Sequence, residues 1–134
     1  MTDAEALGEG AVLDDLLREA AADQGGALWR LTGAGRQLDA NVVRLRPGAT
    51  VPEHVEPDLD VLVLGIAGQG TLRCGGVAHD LLPGVLRLVP HGAARGVAAG
   101  PEGAVYLTVH RRRPGMAIRS RPGAPDSGSR APIP

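Results

Sequence analysis

Pro47-Gly48-Ala49-Thr50-Val51-Pro52-Glu53-His54-Val55-Glu56-Pro57-Asp58-Leu59-Asp60 runs directly into Val61-Leu62-Val63-Leu64-Gly65-Ile66-Ala67-Gly68-Gln69-Gly70-Thr71-Leu72, and the organisation of the chain follows from these two segments. A Pro-Gly pair opens a turn, an extended stretch carries two polar groups two residues apart, and an apolar run ends at Gly-x-Gly. The same rhythm continues outward in both directions. Strands are predicted at 27–31, 38–46, 61–66, 71–73, 77–82, 85–89, 95–99 and 104–110. Pro47-Gly48, Gly68-Gln69-Gly70, Gly75-Gly76, Pro83-Gly84, His91-Gly92 and Gly100-Pro101-Glu102-Gly103 mark the turns between them. No intervening segment is long enough for a crossover helix, so the sheet is expected to be antiparallel.

Three zones emerge: an acidic N-terminal segment with a helix (1–26), a β-barrel (27–113) and a basic, Pro/Gly-rich tail expected to be disordered (114–134). The helix is predicted at 9–22, where Val12, Leu13, Leu16, Leu17 and Ala20 recur at helical spacing before Gly25-Gly26. Its expected role is to pack on the outside of the sheet, with Trp29 beneath it. The tail has almost nothing to bury. Residues 1–24 carry seven acidic groups against Arg18, and 111–134 carry six arginines against Asp126. The sum is a net charge of -1, which gives no electrostatic case for nucleic acid or an anionic membrane. Apolar residues make up 43% of the chain with no Phe, so the core must be built from Leu, Val and Ala. All 14 basic residues are arginine, a bias that weakens any argument from an isolated one. The single cysteine, Cys74, excludes an intramolecular disulfide, and the longest apolar run is too short to span a bilayer; the expectation is a cytoplasmic protein.

The stretch from Pro47 to Leu72 resembles the first motif of the cupin superfamily: a Pro-Gly turn, His-x-His, a Glu three or four residues on, and a Gly-x-Gly hairpin after the next strand. A second motif is matched by Leu82-Pro83-Gly84, an apolar strand, then Pro90-His91-Gly92 and, three residues on, the slot for a third histidine. The likeness covers about residues 48–99 and extends through flanking strands to about 28–110. It implies an all-β, antiparallel, jelly-roll-type cupin barrel with one N-terminal amphipathic helix. Cupins typically hold a divalent metal with three His and one Glu, and here only His54 stands in place. Glu56 occupies the second His position. Arg95, a cation that repels metal, occupies the third. The Glu position falls on Asp60 counted forward from His54 and on Val61 counted back from Gly68; the two point to opposite faces of a strand.

His54 and Glu56 share a face of an extended strand, which the resemblance turns toward the cavity. Arg95 then pairs either with Glu56, as a brace in place of metal, or with the carboxylate or phosphate of a ligand. Tyr106, Thr108 and His110 alternate with Leu107 and Val109, so either set can face inward; His110 is read as strand-end surface. His79 and His91 are read as surface, and Cys74 as a hairpin-end thiol without a neighbouring base. Val61-Leu62-Val63-Leu64 is apolar on both faces, so the outer face needs the helix or a second subunit, and a homodimer is expected.

The leading reading is a small-molecule-binding domain whose ligand is small and anionic, held by His54, Glu56, Arg95 and Tyr106, without the usual cupin metal. One rival is a metal-dependent isomerase, lyase or dioxygenase. It would hold Mn, Fe or Zn on His54, Glu56 and Asp60, with His54 or Glu56 as general base. Another is an interaction module whose charged tails do the binding.

Overall fold

The computed structural model describes residues 8–113; the remaining residues, including the acidic first seven and the 114–134 tail, lie outside the described residues. One short helix, α1 (Leu13–Glu19), precedes seven strands: β1 (Gly26–Arg30), β2 (Leu38–Leu45), β3 (Thr50–Val55), β4 (Val61–Cys74), β5 (Val77–Leu81), β6 (Leu86–Val89) and β7 (Ala94–Arg111). Every pairing is antiparallel. No helix among the described residues is long and apolar enough to cross a membrane.

Two long strands organise the barrel. Residues 104–111 of β7 pair with β2, and residues 104–109 with the first half of β4. Residues 94–98 of β7 pair with β3, and 95–99 with the second half of β4. The register shifts at Gly65/Ala67 and Gly68/Gly70, so each long strand bends from one half of the sheet into the other. The predicted turns at 68–70 and 100–103 are therefore bends inside continuous strands, and four expected short strands are two long ones. Gly68 (φ 69°) and Gly103 (φ 83°) supply backbone conformations that residues with a Cβ resist. The stretch holding His54, left without bounds by the strand pattern, is β3.

Inward residues from both halves meet in one core: Val43, Leu45, Val61, Val63, Val89 and Tyr106 from one, Leu72, Leu81 and Val97 from the other. Branched aliphatics suit the narrow space between pleated layers. On the opposite face Val42 is also buried, and Trp29 stands across the ladder from it.

The helix departs from expectation. It spans seven residues rather than 9–22, its N-cap Val12 offers no capping side chain, and none of its residues is buried. With three leucines among charged residues it lacks the apolar area to dock on the sheet. The N-terminal segment is instead tied down by Glu9, whose carboxylate accepts from the Thr32 and Gly33 backbone N–H groups at 2.7 and 2.6 Å. Leu62 therefore stays 39% exposed on the outer face, beside Leu86 at 59% and Leu88 at 60%.

Candidate functional site

Arg95 sits in the register of three strands. Across one ladder its partner is His54 on β3, and across the other it is Cys74 on β4, so the three side chains share the inner face. Arg95 is 0% exposed. Its Nε donates to the Ala93 carbonyl at 2.9 Å and its Nη2 to the Pro90 carbonyl at 3.0 Å, while Nη1 is buried with no partner among the described residues. Burial pushes its pKa down, and the charges of Cys74 and Glu56 oppose that; a guanidinium stays cationic even so. No carboxylate among the described residues is ion-paired with it.

Glu56 follows β3 and is 9% exposed. Its carboxylate does not brace Arg95. One oxygen is ion-paired with Arg113, and the other accepts from the Asp58 backbone N–H at 2.8 Å. Burial works against its charge, but the Arg113 hydrogen bond, the Asp58 N–H and the charges of Arg113 and Arg95 outweigh it and hold the carboxyl below its ordinary range. Arg113 went unnoticed in the sequence because it closes an arginine triplet that reads as the start of a solvated tail.

His54 is half-buried, and its Nδ1 lies 3.0 Å from the Pro52 carbonyl. A carbonyl only accepts, so this contact puts the proton of the neutral ring on Nδ1 and leaves the lone pair on Nε2. The open choice between Asp60 and Val61 is decided by the ladder. Val61 is 1% exposed, in the core, while Asp60 turns outward and accepts from the backbone N–H of His91 at 2.9 Å, its side chain bonded to the ring as well. Those two bonds to His91 lower the Asp60 pKa.

Tyr106 and Thr108 belong to the inward set of β7, Tyr106 1% and Thr108 0% exposed, and neither hydroxyl has a partner among the described residues. Burial pushes the Tyr106 phenol well up, so it stays a neutral donor. His110 is half-buried at the strand end, its Nδ1 2.8 Å from the Arg111 carbonyl. His79, read as surface, stands opposite Leu72 and is half-buried; with Cys74 and Arg87 it lines a shallow hollow of about 280 Å³. A second hollow of about 390 Å³ lies at Arg44 and Arg46. Neither is lined by His54, Glu56, Arg95 or Tyr106.

These residues do not fit a divalent metal. A buried guanidinium stands at the third-ligand position, both oxygens of Glu56 are engaged, Asp60 faces away, and no three His, Cys, Asp or Glu side chains among the described residues gather into a ligand set. Protein purified without added metal is expected to hold far less than one divalent ion per chain by elemental analysis. Stoichiometric metal that disappears in His54→Ala would contradict this.

No protein-family model and no curated protein matches the chain. Solved structures do: the chain has the cupin fold. It is similar to the cupin domain of Cnp3 from Schizosaccharomyces pombe (TM-score 0.57, 17% identity, covering 62% of this chain and 61% of that one). It is also similar to a sugar phosphate isomerase of the cupin superfamily from Silicibacter pomeroyi (TM-score 0.55, 28% identity, 61% and 55% covered). A third is a Klebsiella pneumoniae protein with a double-stranded β-helix domain (TM-score 0.64, 18% identity, 80% and 87% covered). The chain thus spans 61% and 55% of the lengths of the first two.

Proposed function

We propose that this cupin-fold chain binds a small anionic molecule through its inner wall, with Arg95 as the charge that recognises it, His54 across the ladder from it and Tyr106 further along the same face. The observation that carries this is a fully buried arginine with, among the described residues, an unpartnered Nη1 and no carboxylate of its own. A buried cation without a counter-charge is costly, and an anion relieves that cost. The hydroxyls of Tyr106 and Thr108, buried and unpartnered, add neutral donors on the same face. Glu56, the carboxylate whose charge acts on Arg95, is already neutralised by Arg113. Neither hollow reaches Arg95, and the ligand group that would pair with its Nη1 is a carboxylate or phosphate. The neighbour at 28% identity is named for a substrate with such a group, which supports the phosphate reading. That name also favours a second reading, sugar phosphate isomerisation with His54 Nε2 as the proton acceptor.

A thermal-shift and calorimetric screen with inorganic phosphate and sugar phosphates tests the binding. Wild type is expected to be stabilised, and Arg95→Met to lose affinity about tenfold to a hundredfold, the size of a charge-assisted hydrogen bond. Equal responses from wild type and Arg95→Met would remove Arg95 from any site. Isomerase activity abolished by His54→Gln with binding intact would establish the second reading.

We also propose a homodimer built on the outer face of β4 and β6. The observation in its favour is the row of exposed Leu62, Leu86 and Leu88, which the N-terminal helix leaves uncovered. An apolar face of one sheet can pack on its own copy about a two-fold axis without needing a second kind of surface.

A further inference from the structure

Arg95, across the β3–β7 ladder from His54, and Glu56, the residue that follows β3, each feel the charge of the other, yet the carboxylate is bonded to Arg113 and not to Arg95. Arg113 comes from the far end of the fold, two residues past β7. It is held there by its neighbours: the Arg112 backbone N–H donates to the Gln37 carbonyl at 2.8 Å, the Arg112 Nη1 to the Ala34 carbonyl at 2.6 Å, and the Arg111 Nη2 to the Asp58 carbonyl at 3.3 Å. The Arg113 side chain is 46% exposed and the Glu56 side chain 11%, so the guanidinium reaches in from solvent to a carboxylate near the surface of the barrel.

A carboxylate released beside a buried, uncompensated guanidinium has a strong reason to swing onto it, because each group removes the other's desolvation cost. We infer that Arg113 is a positioning residue for the anion site: by holding Glu56, it keeps the Nη1 of Arg95 free for an incoming anion. Without Arg113, Glu56 becomes an internal competitor that fills the site with the chain's own carboxylate. This inference rests on the reading of Arg95 as the anion-binding group. It adds a residue that never touches the ligand.

The test is calorimetric titration of the full chain with inorganic phosphate, using wild type, Arg113→Ala, Arg113→Lys, Glu56→Gln and the double variant Arg113→Ala/Glu56→Gln. Arg113→Ala is expected to weaken phosphate at least tenfold, Arg113→Lys to keep most of the affinity, and the double variant to return to the wild-type value. Glu56→Gln alone is expected to bind as tightly as wild type or tighter, which keeps the inference open to refutation if Arg113→Ala fails to fold. A merely structural role for Arg113 would lower the melting temperature of Arg113→Ala and leave the phosphate affinity of the folded protein unchanged. Wild-type affinity in Arg113→Ala, or loss without rescue in the double variant, overturns the inference while leaving Arg95 in place. Phosphate that binds wild type and Arg95→Met alike overturns the anion-site reading itself.

Discussion

Gly65→Ala is expected to destabilise the protein by about 3 kcal/mol or more, an unusually severe effect for a single added methyl group. A Cβ at Gly65 would lie 2.1 Å from the Leu82 carbonyl oxygen and 2.7 Å from its carbon. Neither side can retreat. The Gly65 N–H donates to the Val85 carbonyl at 2.9 Å, and its own carbonyl accepts from the Gly84 N–H at 2.9 Å, so the 82–85 turn is bonded to β4 on both sides of the clash. Relief requires breaking those bonds or shifting β4 out of its register with β6 and β7, and β4 carries Val61 and Val63 of the core. A thermal melt should fall by roughly 10 °C. Gly35→Ala is the control: nothing lies within 4 Å of its Cβ position, and its stability should stay within about 1 kcal/mol of wild type. Equal melting temperatures for the two variants would show that the 82–85 turn yields freely.

Sedimentation is expected to give wild type at twice the 13.7 kDa chain mass, and Leu62→Asp/Leu88→Asp as a soluble monomer. The two leucines are partners across the β4–β6 ladder, so their side chains stand together on the outer face. A two-fold contact doubles each substitution and would bury four unpaired carboxylates at several kcal/mol each, which weakens association by at least about a thousandfold. Neither side chain belongs to the core cluster, so the monomer should keep its fold. Wild type sedimenting as a monomer at high concentration would end the dimer proposal and leave the leucine row as solvent-facing surface.

Much of the architecture was legible in the amino-acid sequence. Turn residues and short apolar segments dictated an antiparallel all-β fold, because β-hairpin geometry and period-two alternation are local properties that a chain cannot hide. The spacing of Pro47-Gly48, His54, Gly68-Gln69-Gly70 and Pro83-Gly84 carried the cupin likeness for the same reason. Local signals could not tell a turn from a bend. Gly68-Gln69-Gly70 has the composition of a hairpin, and only pairing with β7 across both halves makes it the corner of a continuous β4. The helix was overextended because apolar spacing promises a docking face but does not say whether a sheet offers one. Asp60 against Val61 was undecidable until the ladder to β6 placed Val61 opposite Val89.

The site divides in the same way. Residue type alone made Arg95 hostile to metal, since a guanidinium is a permanent cation wherever it is placed. That it is fully buried, with Nη1 unpartnered and Glu56 bonded elsewhere, is a tertiary fact. Glu56 and Arg113 are 57 positions apart, and no period or motif relates them; their meeting depends on β7 running its whole length and returning its end to the loop after β3. Sequence patterns report what a residue is and which way its strand neighbours face, whereas the choice between two competing arginines for one carboxylate is made only when the barrel closes.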